Sequence, residues 1–124
     1  MIRPDYQVYL GTLKRLINDF EIGYSNFSEE ELGAQFCLNT GWLIELECEK
    51  FGSSVTVIIR HPEVGRKGGY ALWILMTAFE SLKGKSYGNP TIENQIRFLA
   101  EEQESLFQYP DFYEGEYAKI NDRI

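Results

Sequence analysis

The chain has one histidine, two cysteines, and nineteen acidic residues against twelve basic ones. Any chemistry has to be sought among these. Hydrolase and nuclease mechanisms usually lean on a histidine base held by an orienting partner. His61 lies between Arg60 and Pro62 at the end of a strand-like run, the setting of a structural histidine. No GxSxG, HExxH or Walker sequence is present. Gly65-Arg66-Lys67-Gly68-Gly69, just before a helical pattern, has the parts of an anion site: two bases, free N–H groups and a helix N-terminus. It lacks the GK[ST] of a phosphate-binding loop and reads more simply as a flexible connection. Cys37 and Cys48 are too far apart for a CxxC motif, and each sits in an apolar, strand-like run that suits a buried thiol. A cross-strand disulfide is the lesser alternative.

Carboxylates are the abundant reactive group. Abundance is also why no glycosidase-type pair is singled out by spacing. Glu45, Glu47 and Glu49 alternate along a strand-like run and so point one way, yet their Cα atoms stand ~6.6–7 Å apart. With no histidine or aspartate beside them they make a poor metal site. Neither a catalytic residue, a cofactor nor a metal is expected.

Charge is segmented along the chain. Residues 1–15 carry a net +2, residues 16–49 a net −8, residues 50–85 a net +4 and residues 86–124 a net −5. Two readings of the Glu45, Glu47, Glu49 ladder follow. Opposite charges pair across antiparallel strands, with Arg60 the obvious partner. Alternatively the ladder is a docking face for a basic partner, since complementary fields speed association and select partners. The acidic tail offers a second patch, in which Asp111, Glu114 and Glu116 lie among Tyr113 and Tyr117. Tyrosine is a preferred interface anchor, so Tyr113 and Tyr117 suit an interface and Phe107 and Phe112 suit the core. The plainer alternative is that all these rings cap the core. A net charge of −7 argues against nucleic-acid binding.

Apolar periodicity and turn signals place these residues on a short series of helices and strands. Pro4 and Asp5 suit a helix start, and Tyr6, Tyr9, Leu10, Leu13, Leu16, Ile17 and Phe20 form one apolar stripe. Residues 21–24 suit a short strand, 25–28 a turn, and Glu29 to Glu31 form a charge run. The period then becomes two. Ala34, Phe36 and Leu38 alternate with polar residues, and Asn39-Thr40-Gly41 is a turn signal. Trp42, Ile44, Leu46 and Cys48 alternate with Leu43 and the glutamates, Lys50 to Ser53 form a hairpin turn, and Val55, Val57 and Ile59 make a third strand ended by Pro62. A wide apolar stripe from Tyr70 to Lys83 predicts a central helix with Gly84 as its stop. Asn89 as N-cap with Pro90 opens another, ended by Tyr109-Pro110. The tail 110–124 has helical spacing at Tyr113, Tyr117 and Ile120, which suits a short docking helix.

The expected fold is α+β: a single domain, 1–124, with an antiparallel three- to four-stranded meander packed against an N-terminal helix and two C-terminal helices. No apolar run approaches the ~18 residues of a membrane helix. The N-terminus, MIRPDYQVY, has no secretory apolar core, so the expected location is cytoplasmic.

The run LGAQFCLNTGWLIELECEKFGSSVTVIIR followed by YALWILMTAFESL, in a small acidic α+β chain, resembles the immunity proteins of bacterial polymorphic toxin and contact-dependent growth inhibition systems. The likeness is one of overall style and carries no motif, so no residue is transferred by correspondence. It implies a protein without catalysis of its own that binds one cognate toxin, often a basic nuclease, as a monomer or homodimer. Glu45, Glu47 and Glu49, with the tail patch, are the expected contact residues. The competing reading is a type III-like secretion chaperone that holds an effector segment as a homodimer. The aromatic tail and the basic loop are not expected of one. A small enzyme is the third class, and the lack of a base–nucleophile pair argues against it.

Overall fold

The computed structural model describes all residues from Met1 to Ile124. Pro4–Tyr6 form a 3₁₀ turn with proline at its start and Asp5 in its only turn, and α1 (Gln7–Asp19) follows. Leu10, Leu13, Leu16 and Ile17 are its buried stripe, as the spacing predicts. The Tyr6 side chain is also buried. Its hydroxyl reaches the carbonyls of Glu49 at 2.6 Å and Gly52 at 3.0 Å, tying the chain start to a hairpin more than forty residues away.

Five strands run in sequence order across one antiparallel sheet: β1 (Tyr24–Glu30), β2 (Gly33–Leu38), β3 (Leu43–Cys48), β4 (Val55–Arg60) and β5 (Tyr70–Ala71). The meander is thus longer than the three to four strands expected. Most of the difference is β1, which occupies residues assigned above to a turn and a charge run. Its alternation is hard to read because an edge strand has one neighbour. The positions facing inward, Phe27 and Glu29, are only half-buried, and Ser25 sits at a register shift between Tyr24 and Asn26. The other addition, β5, is two residues long and takes the start of the predicted central helix.

One face of the sheet is core. Ala34, Phe36, Leu38, Ile44, Leu46, Val57 and Ile59 all lie there and are buried. Full burial of the valine, leucine, isoleucine and phenylalanine side chains among them contributes about 1.5–3 kcal/mol each. The opposite face carries Gln35 and Cys37, then Glu45 and Glu47, then Thr56 and Arg60. The two cysteines are half-buried and free, Cys48 on the core face and Cys37 on the other. A disulfide between them is therefore ruled out by the pleat.

The helices cover the core face. α2 (Leu72–Lys83) buries Leu72, Ile74, Leu75, Met76, Ala78 and Phe79, and stops at Gly84 in the left-handed region. The next helix starts two residues later than expected. Thr91, not Asn89, is the N-cap, its hydroxyl accepting from the Asn94 N–H at 3.1 Å. That helix also divides. α3 (Ile92–Glu101) ends at Glu102, and α4 (Gln103–Gln108) turns away before α5 (Pro110–Asn121). A single non-helical residue shifts the phase without erasing the spacing, so the break leaves no trace in the apolar pattern. No helix is long and apolar enough to cross a membrane.

Candidate functional site

The open face of the sheet dips where β2 begins. Gly33 pairs with Glu47 and has no side chain to fill the space above the strands; a Cβ there would meet the Leu46 carbonyl oxygen at 3.1 Å. The result is a depression of about 310 Å³ across β1, β2 and β3, rimmed by Glu30, Glu45, Glu47, Ser28 and Gln35. No lysine or arginine lines it. The pleat explains why three carboxylates meet. Glu45 and Glu47 are two apart on β3, and Glu30 lies beyond Gly33 on β1.

Their electrostatic situations differ. Glu45 accepts from Arg60 at two points, Nε to Oε1 at 2.9 Å and the terminal nitrogen to Oε2 at 3.3 Å. That hydrogen-bonded pair holds the guanidinium proton more tightly than usual. Cross-strand neutralisation therefore accounts for Glu45. It does not account for Glu47 or Glu30, which form no ion pair. Glu47 is exposed, yet its carboxyl is raised above its ordinary range, first by desolvation from the surrounding strands and then by the Glu45 charge. A raised carboxyl favours the folded state while protonated. Its contribution is fully present below the ordinary value of 4.5 and is lost as pH rises through the raised range. Glu47→Gln is therefore expected to melt higher than the parent near pH 7 and level with it near pH 3. Paired thermal melts at the two pH values check this.

Glu49 does not join them. β3 ends at Cys48, and Glu49 belongs to the hairpin, exposed, with its carbonyl taken by Tyr6. Glu30 takes its place at the depression. Its signal lay in the alternation of Ser28 and Glu30 against Phe27 and Glu29, visible only once 24–30 is read as a strand. The three carboxylates do not converge as metal ligands would: no cluster of three or more acidic, histidine or cysteine side chains is arranged to hold an ion.

The tail patch is corrected more sharply. Tyr113 and Tyr117 are buried, not surface anchors. Tyr113 donates its hydroxyl to the Leu106 carbonyl at 2.8 Å, and the Tyr117 hydroxyl accepts from the Ala71 N–H at 2.9 Å. Glu114 is half-buried and engaged, accepting from the Tyr70 hydroxyl at 2.5 Å and facing Arg66 at 3.6 Å. Glu116 is half-buried with Lys119 at 3.9 Å. Only Asp111 is freely exposed, on the rim of a second hollow with Lys83, Tyr109 and Phe112. Of the two phenylalanines expected inward, Phe107 packs against the core beside Trp42, whereas Phe112 is 41% exposed.

The basic loop is closed rather than free. Its turn is capped by His61, whose Nδ1 accepts from the N–H groups of Glu63 at 3.0 Å and Val64 at 3.3 Å. The His61 ring lies edge-on to Trp42 at 5.4 Å, the structural role its context suggested. The Arg66 N–H donates to the Tyr70 hydroxyl at 3.0 Å, and its guanidinium lies 5.1 Å from the Tyr117 ring. β5 intervenes, so the loop does not run directly into α2 as the anion-site reading requires.

No family model matches the chain, and neither curated proteins nor solved structures provide a match.

Proposed function

We propose that this chain is a non-enzymatic immunity protein that binds and neutralises a cognate, basic bacterial toxin domain, a nuclease by preference. The observation that carries the reading is the depression at Gly33, where Glu30 and Glu47 stand without counter-charges beside the Glu45–Arg60 pair. Unpaired carboxylates on a concave, open sheet face gain most when a partner supplies the cations. A nuclease must present lysine and arginine to phosphates, so its substrate path is the kind of surface that an acidic depression complements. The net charge of −7 adds long-range attraction. The contact residues in this reading are Glu30, Glu45 and Glu47, with Asp111 outlying.

The test is an affinity capture with the tagged protein and the product of the adjacent upstream gene, in low and in high salt. Tight, salt-weakened binding to a basic domain is expected. Glu30→Lys combined with Glu47→Lys should slow association by about 10-fold or more at low salt and leave the circular dichroism spectrum unchanged. Unchanged affinity in that double variant would remove the acidic depression from the mechanism. Absence of any binding would remove the immunity reading.

A further inference from the structure

Resting on that reading, we propose that the partner also joins the sheet: an extended segment with alternating basic residues adds to the free edge of β1 as a sixth strand. β1 ends the strand order and pairs on one side only, with β2. It is the longest strand, seven residues, and five of them are exposed. The opposite end of the sheet is not comparable, because β5 is two residues long and runs directly into α2.

Proteins usually blunt such an edge with lysine, proline, an inward-pointing charge, a covering helix or a bulge, and of these β1 has one inward charge, Glu29, near its end. The sequence YSNFSEE has neither lysine nor proline, and its one irregularity lies at the far end, between Tyr24 and Asn26. From Asn26 to Glu30 the register is unbroken. Those five residues span about 17 Å of edge for main-chain hydrogen bonding, bounded at Glu31, whose carbonyl already accepts from the Arg3 N–H at 2.8 Å.

The side chains flanking the edge define the occupant. On the open face an added strand would lie beside Asn26, Ser28 and Glu30, and the last two also rim the acidic depression. Bases on that side would be paired. On the core face it would lie beside Phe27, whose ring already carries the Lys14 ammonium at 4.2 Å, and beside Glu29, whose carboxylate is taken by the Ile2 N–H at 3.0 Å. A second cation there meets Lys14. The fitting segment therefore alternates basic and apolar residues and is not a plain basic run. A second copy of this chain does not fit, since its own β1 carries acids and no base to offer.

The probe is a capped peptide of about eight residues alternating lysine and valine, with a scrambled lysine–valine peptide and an alternating glutamate–valine peptide as controls. Amide hydrogen exchange is read by NMR on the full chain. With the lysine–valine peptide at ten times its Kd, the outward-facing amides between Asn26 and Glu30 are expected to exchange about 10-fold more slowly. The scrambled peptide should leave them unprotected. The Glu30→Lys, Glu47→Lys double variant should prefer the glutamate–valine peptide. Binding without β1 protection, no binding, or protection that grows with protein concentration alone would each overturn strand addition. The last would make a second copy the occupant. The two proposals fail separately. A toxin that binds without protecting β1 sinks the strand and keeps the immunity reading, whereas protection by the peptide with no toxin partner does the reverse.

Discussion

Tyr113→Ala is expected to lower stability by about 3–5 kcal/mol, as truncation of a fully buried aromatic does. Tyr113 has no exposed surface. Its ring meets Tyr70 edge-on at 5.0 Å and Phe79 at 5.7 Å, and its hydroxyl satisfies the Leu106 carbonyl at the end of α4. One side chain thus joins α5 to β5, α2 and α4. Burial also pushes its phenol, like that of Tyr70, well above the usual range, and both hydroxyls donate, Tyr113 to the Leu106 carbonyl and Tyr70 to Glu114. Tyr113→Phe should cost about 1–2 kcal/mol, because it leaves the Leu106 carbonyl without its donor. Phe112→Ala, one residue away and 41% exposed, should cost about 1 kcal/mol or less. Urea titrations of the three variants decide the matter. A loss below about 1 kcal/mol for Tyr113→Ala would mean that α5 is dispensable to the core and free to serve an interface.

Gly69→Ala is expected to cost about 2–5 kcal/mol. Gly69 has φ +80°, a left-handed value that costs a side-chain-bearing residue about 1–2 kcal/mol. Crowding adds about 1–3 kcal/mol. An added Cβ would stand 2.7 Å from both Ile58 Cγ2 and the Ile59 carbonyl oxygen, and 3.0 Å from Arg60 Cβ. The backbone cannot yield without separating β5 from β4, which would carry Tyr70 off Glu114. Gly68→Ala next to it meets nothing within 4 Å and should be close to neutral. Thermal melts of the pair check the contrast. Equal melting points would mean that the β4–β5 pairing contributes little.

What the sequence disclosed follows from what each signal needs. β3 was legible because a central strand with one buried face alternates cleanly, and the same pattern placed Glu45 and Glu47 on the open side. The Glu45–Arg60 pair was legible because strands joined by a tight hairpin must be neighbours. The Glu114–Arg66 contact was not, since it links elements far apart in the chain and depends on how α5 settles. The tail shows two signals in conflict. Tyr113 and Tyr117, four apart, share a helical face, and that spacing pointed inward. The residue type pointed outward, and spacing prevailed because the Leu106 carbonyl and the Ala71 N–H satisfy both hydroxyls in the core. β1 was missed because at an edge neither burial nor composition enforces alternation.

Core closure by α5 has a consequence for the order in which the chain is made. Synthesis runs from the N-terminus, and the meander with its local hairpins can form while later residues are still being added. Tyr70 and Phe79 then wait uncovered until Tyr113 and Tyr117, more than thirty residues later, have been added. An incomplete chain displays an aromatic surface, the kind of feature that chaperones and proteases act on. α5 thus closes a core whose other walls are built from residues made before it, and its two tyrosines supply the cover that Tyr70 and Phe79 lack until then.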